Sequence, residues 1–394
     1  MPFPAFPLFP GEAVYPETGP ARPHPPRPIW VPTPPRRWRL VATTLNGTPI
    51  GELLNASQRR VSLGLNRTPT CDFRLRLDDP LADALLECSA LIKVYDNRTL
   101  RFVGQVITAV EEGGQSIAIT CAGPAWRLSK RLIGKGTTGY TQGTADAPVA
   151  AGQIMASILA AVNTDGYTGI DLGMVGDSSS TYVAYEPYKR ASEAFTEISS
   201  VIDGPDYELA PVEPTAVAGG TRIAYLNVAA AIGQARPDAI FEYAVGRKNV
   251  ASYTRQVSME GFMNAGYGLA ADAAGTTVGA LDAGSQAAWG LYEDVVPSDL
   301  PVQLLRQRLV DEHVRVRKAP RQLITFAPTR DDPSMPGRVP LFGEDYGVGD
   351  SVTFRAVDPK SGSVRVNAAF RVYAIEFAID EQGATVPTLT LSLD

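Results

Sequence analysis

"FGEDYGVGDSVTFRAV" spans residues 342–357, and its interpretation decides what kind of protein this is. It places Glu344, Asp345 and Asp350 around two glycines, directly before a run in which apolar and polar residues alternate. Such a stretch is either an acidic loop that holds a cation or a catalytic group, or a turn that starts a β-strand. The first possibility would indicate an enzyme, and the second a structural protein.

The spacing of the side chains favours the turn. A calcium loop of the EF-hand type needs oxygen ligands at alternate positions and a closing glutamate. Here Tyr346 and Val348 stand where ligands should be, and no glutamate closes the loop. Gly347 and Gly349 permit positive φ angles, and the Asp350 carboxylate can accept hydrogen bonds from nearby backbone. We therefore predict a turn that leads into a strand.

Alternating apolar residues around this turn predict a mainly β fold. "CDFRLRLDD" (residues 71–79) and "PTLTLSLD" (387–394) both alternate with the period of two that gives a strand one buried and one exposed face. "LIKVYDNRTLRFVGQVITAV" (91–110) contains two such runs joined at Asp96–Asn97, which predicts a hairpin. Closely spaced strands of this kind are typical of small barrels or sandwiches.

Helical periodicity appears in two separate parts of the chain. In the middle, 147–163 and 191–204 carry apolar stripes at Ile154, Ile158, Leu159, Val162, Phe195, Ile198 and Ile202, with Gly204 as the predicted end of the second helix. A further helix is predicted near 298–312, capped by Ser298 or Asp299, with a packed face formed by Leu300, Leu304, Leu305 and Leu309. We therefore predict an α+β insertion between two β domains. The predicted divisions are 1–36, 37–133, 134–240 and 241–394.

Composition excludes several classes of protein. The 394 residues are 44% hydrophobic and 20% charged, with a net charge of −6 and a pI near 5.2, so gross disorder and strong general affinity for nucleic acid or anionic membrane are not expected. The sequence contains no run of about 18 apolar residues, the length that a membrane-spanning helix needs. The prolines near the N-terminus do not fit an export signal. Cys71, Cys88 and Cys121 are expected to be reduced and buried in a protein assembled in a cytosol.

The first 36 residues form a segment of their own, which we call the proline arm. It holds 13 of the chain's 32 prolines within its first 35 positions, so helix and sheet are excluded and extended polyproline-like backbone is expected. A disordered tail is the ordinary interpretation of such a composition. The interleaved aromatic residues instead favour an arm that lies in the grooves of a neighbouring subunit, with contacts through Phe3, Phe6, Phe9 and Trp30.

No catalytic, cofactor or metal site is predicted. "GKGTTG" (134–139) matches a dinucleotide fingerprint in spacing, but it follows a short predicted helix and not a strand, so a loop is predicted. The two histidines, His24 and His313, have no partners at metal-ligand spacing, and His313 suits a helix end. The acidic pairs Asp331–Asp332 and Glu344–Asp345 stand in turn-like sequence.

Three stretches resemble a known family. "EDYGVGDSVTFRA" (344–356), "FRVYAIEFAIDEQGATVPTLTLSL" (370–393) and the run 71–123, with Phe102 and Gly104 in an F-x-G strand, resemble tail hub proteins of long-tailed phages. These are tail-associated minor tail, or baseplate hub, proteins, particularly those of phages that infect actinobacteria. The proline arm is a departure from that family's general pattern.

The resemblance implies an architecture and a role. It implies two tail-tube-like β-barrel domains in one chain with lateral insertions, and a homotrimer whose six barrels form a ring. Such a ring joins the sixfold tail tube or distal tail ring to the threefold tip and forms a conduit for DNA. The implied partners are the distal tail protein, the tape measure protein and other tail-tip or receptor-binding proteins. The implied location is the tail tip of the virion, assembled in the host cytoplasm, with roles in host attachment and genome ejection.

Two other functions stay open from the residues. A cell-wall hydrolase carried at the tip would need a catalytic group in the insertion, where Asp171 and Asp177 are available. A glycan- or receptor-binding module could stack sugars on Tyr182, Tyr185 and Tyr188, although packing of a helix or turn is the preferred interpretation of these three.

Overall fold

A computed structural model describes most of the chain. The described residues are 38–134, 139–141, 149–176, 178, 180–181, 188–200, 204–244, 248–269, 277–296, 303–329, 339–358 and 360–392. The proline arm lies outside them, with all four of its predicted contact residues. Residues 135–138 of the predicted glycine-rich loop lie outside them as well.

The first β segment confirms the strands predicted for it. Every second side chain of the strand at 70–76 is buried, which is the alternation that the sequence predicted. The elements are β1 Trp38–Thr44, β2 Pro49–Glu52, β3 Ser57–Gly64, β4 Thr70–Arg76, α1 Ala82–Leu86, β5 Ala90–Asp96, β6 Thr99–Glu112, β7 Ser116–Ala122 and α2 Ala125–Leu128.

The predicted hairpin is formed by β5 and β6. Asn97 in its turn has a φ of 55°, a left-handed conformation that asparagine tolerates better than most residues. Within β6, Gly104 of the F-x-G pattern has no room for a side chain. A Cβ atom there would lie 2.3 Å from Cζ of Phe102 and 2.7 Å from the carbonyl oxygen of Ala122 in β7. The glycine therefore allows the Phe102 ring to lie over the backbone of its own strand.

The middle of the chain contains both helices and strands. The four predicted apolar residues of α3 are all buried, and α4 buries Phe195 and Ile198 but ends at Ser199, before Gly204. The elements are β8 Leu132–Ile133, β9 Val149–Ala150, α3 Ala151–Thr164, β10 Ile170–Val175, β11 Ser180–Thr181, β12 Lys189–Arg190, α4 Ala191–Ser199, β13 Asp206–Val217 and β14 Gly220–Ala229.

The second β segment follows and contains a smaller sheet with two helices. The strand predicted after the acidic turn is confirmed, since β21 begins at Ser351 and buries Val352 and Phe354. The elements are β15 Ala235–Tyr243, β16 Val250–Ser258, β17 Ala265–Gly268, β18 Val278–Leu281, α5 Ala283–Trp289, β19 Glu293–Val296, α6 Gln303–Arg317, β20 Arg321–Pro328, β21 Ser351–Val357, β22 Val364–Ile379 and β23 Thr385–Ser392.

One strand joins the two β segments. The first half of β22 pairs with β21 as far as Arg371, and its second half, from Ala374 to Ile379, pairs with β3. On its other edge β22 pairs with β23. A register shift between Val372 and Ala374 marks the point where the change from β21 to β3 occurs. The two β segments therefore share a single hydrogen-bonded sheet.

The path of that sheet runs β16-β20-β23-β22-β3-β4-β7-β6-β5-β1-β2, with β21 on β22 and β15 on β21. Among the strands that the structure describes, these pairings do not close into a ring. The prediction of a mainly β fold is confirmed. The division into two barrels stays a prediction.

Buried side chains form one large core and separate smaller ones. The large core draws on both β segments and includes an aromatic group at Phe241, Phe326, Tyr346 and Phe354. The helices α3 and α4 share a second core with β13 and β14. A third, small core lies between α6 and the sheet of β17, β18 and β19.

The helix predicted near 298–312 is present, but its limits and its packed face differ from the prediction. It extends to Arg317, and its predicted capping residues lie outside the described residues. Leu304 is 47% exposed, whereas Val310 and Val314 are buried against the small sheet together with the side chain of Arg306. The predicted leucine face is confirmed for Leu309, which packs against the core of the small sheet, and is wrong for Leu304. Leu300 and the side chain of Leu305 lie outside what the structure describes. The small sheet lies against the valine stripe beside the leucines, which the periodicity of this helix does not distinguish.

Candidate interaction surfaces

A buried polar junction fixes the insertion between the two β segments. At its centre lies Asp206, the first residue of β13, which is 6% exposed. Its Oδ1 accepts a hydrogen bond from Nδ2 of Asn66 at 2.9 Å, and its Oδ2 accepts one from the backbone N–H of Ile232 at 2.8 Å. The guanidinium of Arg371 in β22 donates to the same Oδ2. One carboxylate thus connects the β3–β4 turn, the insertion and the second β segment.

Arg371 and Asn66 extend this junction to the backbone. Nε of Arg371 donates to the carbonyl oxygen of Gly349 at 3.1 Å, and Nη2 donates to that of Ile232 at 2.8 Å. Oδ1 of Asn66 accepts from the backbone N–H of Tyr207 at 2.8 Å. A buried ion pair tolerates the loss of a partner poorly, because the remaining charge is left in a poorly hydrated place. The junction therefore holds the relative position of three segments.

The acidic turn of the opening sequence belongs to the same region. Asp350 is 5% exposed, and it accepts from the backbone N–H of Gln234 at 2.7 Å, from that of Gly347 at 2.8 Å and from Nε of Arg236 at 3.1 Å. Three donors surround this carboxylate, which therefore anchors the turn to the segment that leaves the insertion.

Only one of the two glycines in that turn needs a positive φ. Gly349 has a φ of +88°, and a Cβ atom there would lie 2.5 Å from the carbonyl oxygen of Ile232. Gly347, for which the sequence predicted the same role, does not have a positive φ. Its backbone N–H is bonded to Asp350 instead.

A second contact holds the insertion against β5 and β6. Glu213 of β13 accepts from the hydroxyl of Tyr95 at 2.6 Å and pairs with Nζ of Lys93 at 3.1 Å. Beside it, Leu91 and Val103 form a small buried cluster with Ile223 of β14. Apolar and charged contacts together fix this side of the insertion.

The small sheet with α6 forms what we call the lobe, residues 259–317. In the order β18-β17-β19, Val278 and Val296 lie on either side of Gly268 and face α6. Since side chains alternate along strands, the neighbouring positions Tyr267 and Val295 point to the opposite side.

That opposite side is the outer lobe face, which we define by Tyr267, Leu269, Leu281, Glu293 and Val295. Tyr267 is 39% exposed, Val295 48% and Leu281 63%. Of the nineteen large hydrophobic side chains exposed among the described residues, nine belong to the lobe, and four of these lie on the outer lobe face. A concentration of this kind marks a surface that contacts another protein in many structures.

The residues considered for hydrolysis have structural partners where they are described. Asp171 accepts from the hydroxyl of Tyr167 at 2.8 Å and pairs with Arg222 at 3.4 Å. Burial and the hydrogen bond to Asp171 raise the pKa of Tyr167. Asp345 accepts from the backbone N–H of Leu341 at 2.8 Å. Asp177, Asp331 and Asp332 lie outside the described residues.

The tyrosines considered for glycan binding are described only in part. Tyr182 and Tyr185 lie outside the described residues, and Tyr188 is 66% exposed in a turn with a φ of 71°.

His313, which the sequence predicted near a helix end, lies in α6 four residues before its last residue, Arg317. Burial, and then the charge of Arg317, lower its pKa, so the neutral form is favoured in the folded protein.

The three cysteines are free thiols. Cys71 and Cys121 lie opposite each other in β4 and β7. Burial raises the pKa of both thiols, because the charged thiolate is poorly hydrated in the core. Cys88 is only half-buried, so the prediction that all three are buried was wrong for this one.

Within the described residues, no group of three or more His, Cys, Asp or Glu side chains is placed to hold a metal ion. None of the helices described is both long enough and apolar enough to cross a membrane.

Sequence reasoning missed the junction and the lobe. Asp206, Asn66 and Arg371 are far apart in the chain and belong to no local motif, so no pattern could have joined them. For the lobe a signal was present: no lysine or arginine occurs between Gln256 and Leu305.

Comparison with solved structures shows which known proteins have a similar fold. A tail protein from Neisseria meningitidis superposes with a TM-score of 0.55 at 10% identity, over 91% of this chain and 97% of its own. The prophage tail protein gp18 from Listeria monocytogenes gives 0.52 at 10% identity, over 90% and 94%. The 43 kDa tail protein of prophage MuSo2 from Shewanella oneidensis gives 0.52 at 13% identity, over 90% and 96%. This chain has the fold of phage tail proteins.

In each comparison the match covers about nine tenths of this chain and nearly all of the other chain. No protein-family model and no curated protein sequence matches the chain. Only the fold, and not the sequence, has therefore been found in common.

Proposed function

We propose that this protein is a structural hub at the tip of a phage tail. Three copies form a ring that joins the sixfold tail tube or distal tail ring to the threefold tip and leaves a passage for DNA. The observation that carries the proposal is the whole-chain likeness to phage tail proteins. The net charge of −6 suits a conduit that DNA passes without adhering.

A ring of six similar units needs two such units in each chain. We propose that 37–133 and 241–394 are these units, as β-barrel domains, and that 134–240 is a lateral insertion. In the second unit, β15-β21-β22-β23-β20-β16 is a continuous series of pairings. The residue before β16, Asn249, donates its backbone N–H to the carbonyl oxygen of Glu242 in β15 at 3.0 Å, which brings the ends of this series close together. This return toward the start supports a barrel.

The interior of the chain also supports a structural role. The polar junction at Asp206 and Arg371 connects three segments through buried groups, and such a device keeps the parts of an assembly in register. Strand edges that pair with no other described strand, such as the outer edge of β2 at one end of the sheet, are places where a neighbouring subunit can bind. The function then lies in interfaces, and we propose no active site, cofactor or metal.

The proline arm would supply further contacts. A polyproline helix has three residues per turn, so Phe3, Phe6 and Phe9 would lie along one edge of it. We propose that these residues and Trp30 bind a neighbouring subunit, the distal tail protein or the tape measure protein.

The molecular mass in solution tests the hub. Light scattering on the full-length chain, alone and then with its tail neighbours, should give a particle of three times 42.1 kDa, with electron micrographs showing threefold symmetry and six density units. A protein that stays monomeric in both samples would contradict the proposal. Receptor-binding proteins and other tip proteins should bind the assembled ring more tightly than the single chain, as host attachment and genome ejection require.

A further inference from the structure

The part of the lobe that precedes most of α6 carries charge of one sign. Between Gln256 and Leu305 the sequence contains six acidic residues and no lysine or arginine, whereas α6 itself carries Arg306, Arg308, Arg315 and Arg317. In the structure, Glu293 lies on the outer lobe face, where it accepts from the hydroxyl of Tyr267 at 3.0 Å. Asp294, the next residue of β19, is exposed but lies on the α6 side of the sheet. The outer lobe face is therefore apolar, with the acidic residue Glu293 among its members.

One segment of the same chain has the complementary chemistry. From Thr18 to Arg37 there are four arginines and no acidic residue. Arg22 and Arg27 precede the apolar run Ile29-Trp30-Val31, and Arg36 and Arg37 follow it. This is an apolar centre with a basic border, which matches the outer lobe face in both properties. Proline-rich segments of this kind bind aromatic and apolar grooves at low entropic cost, because their backbone is already extended.

We infer that the outer lobe face binds residues 22–37 of a second copy of this chain. The inference rests on the proposed ring. Trp30 would pack on the apolar surface of Tyr267, Leu281 and Val295, and the arginines would lie beside Glu293. A stable contact of this form buries the exposed hydrophobic side chains of both partners, which removes apolar surface from water on the lobe and on the arm.

The length of the chain sets a strict geometric limit. Residues 31–37 separate Trp30 from Trp38, the first residue of β1, whose backbone N–H is fixed to the carbonyl oxygen of Gly383. At about 3.1 Å per residue in extended polyproline backbone, eight steps span about 25 Å. The receiving lobe must therefore lie within about 25 Å of the neighbouring copy's Trp38.

Photochemical cross-linking of the full-length chain tests the inference. Trp30 is replaced by p-benzoylphenylalanine in unlabelled chains, which are mixed with a large excess of ¹⁵N-labelled chains without the probe. After irradiation, mass spectrometry identifies which labelled peptide is attached to position 30, and light scattering on the same sample gives the particle mass. We expect the attachment in labelled peptides that cover residues 265–269 and 277–296.

Two substitutions in the labelled chains examine the chemistry. Glu293→Lys places a positive charge beside the arginines of the arm and should reduce the cross-link yield about fivefold. A fivefold weaker contact corresponds to a loss of about 1 kcal/mol in binding free energy. The control Glu111→Lys makes the same change at an exposed glutamate in β6, and should leave the yield unchanged. Leu281→Ser should also reduce the yield without loss of folding, because that side chain is already 63% exposed.

The possible results are distinguishable. Attachment to another surface of labelled chains in an assembled particle overturns the inference and leaves the proposed ring intact. Attachment only within unlabelled chains overturns it too, since it shows binding in cis. Attachment to an added tail protein instead of the lobe assigns the arm to that partner and has the same consequence. A monomeric sample without cross-links contradicts both the inference and the proposed ring.

Discussion

Replacing Arg371 with methionine removes the cation of the buried junction and keeps most of the side-chain length. The substitution takes three donor contacts away, those to Asp206 and to the carbonyl oxygens of Gly349 and Ile232. It leaves the Asp206 carboxylate at 6% exposure with only neutral donors. Loss of one partner from a fully buried pair costs about 3–5 kcal/mol.

The expected loss is somewhat smaller, because water reaches part of this arginine. Its side chain is 23% exposed, so we expect Arg371→Met to lower the free energy of unfolding by about 2–4 kcal/mol. Arg365→Met is a matched control in the same strand. Arg365 is 61% exposed and pairs with Asp358, so solvent screens its charge and its loss should lower the free energy of unfolding much less than the loss of Arg371. Urea unfolding followed by tryptophan fluorescence and circular dichroism measures both variants.

A double-mutant cycle separates the pair from its surroundings. Asp206→Asn alone should also destabilise the protein, because an amide nitrogen would then approach the donors that surround it. The double variant should be more stable than the sum of the two single losses predicts, by about 1–3 kcal/mol. Losses that add to within about 0.3 kcal/mol, or an Arg371→Met loss no larger than that of Arg365→Met, would show that the junction does not hold the segments together.

Three further outcomes are expected. Gly104→Ala should destabilise the protein by about 1–3 kcal/mol, since a Cβ atom there meets a ring and a carbonyl oxygen, whereas Gly284→Ala in α5 should be neutral or stabilising in urea unfolding. Folding lowers the pKa of His313 below its ordinary value of 6.5. Its contribution to the free energy of unfolding is therefore fully present above pH 6.5 and is lost as the pH falls below that value. When the free energy of unfolding is measured from about pH 7.5 to 5.5, His313→Gln should remove this part of its pH dependence. An unchanged pH dependence would refute the assignment to His313. A disulfide thiol reagent should label Cys88 in the folded protein, with Cys88→Ser abolishing the reaction, and should label the other two thiols only in urea, because burial raises the pKa of Cys71 and Cys121.

Local patterns predicted the elements of this fold well. The alternation in β4 and the hairpin of β5 and β6 were both predicted, because one buried face imposes a period of two wherever a strand lies on a core. The stripe of α3 was predicted for the same reason at the helical period. The face of α6 was predicted only in part, since Leu309 packs against the core but Leu304 is exposed, and the leucines and valines of this helix form more than one apolar stripe.

The acidic turn illustrates the limit of local information. Its sequence was enough to predict a turn before a strand, because glycine and aspartate have conformational preferences of their own. The backbone of Gln234 and the side chain of Arg236, which bind Asp350, are more than a hundred residues away, and no preference within 342–357 indicates them.

By itself, the sequence determined the β character of the chain, the helices of the insertion and the charge of each segment, because these depend on neighbours within a few positions. Only the tertiary structure decided which segments meet. The pairing of β22 with both β21 and β3, the junction at Asp206 and the exposure of the outer lobe face all depend on residues that folding brings together over long distances in the chain. Packing and hydrogen bonding between such residues are set by the whole chain's free energy, and a short pattern contains none of that information.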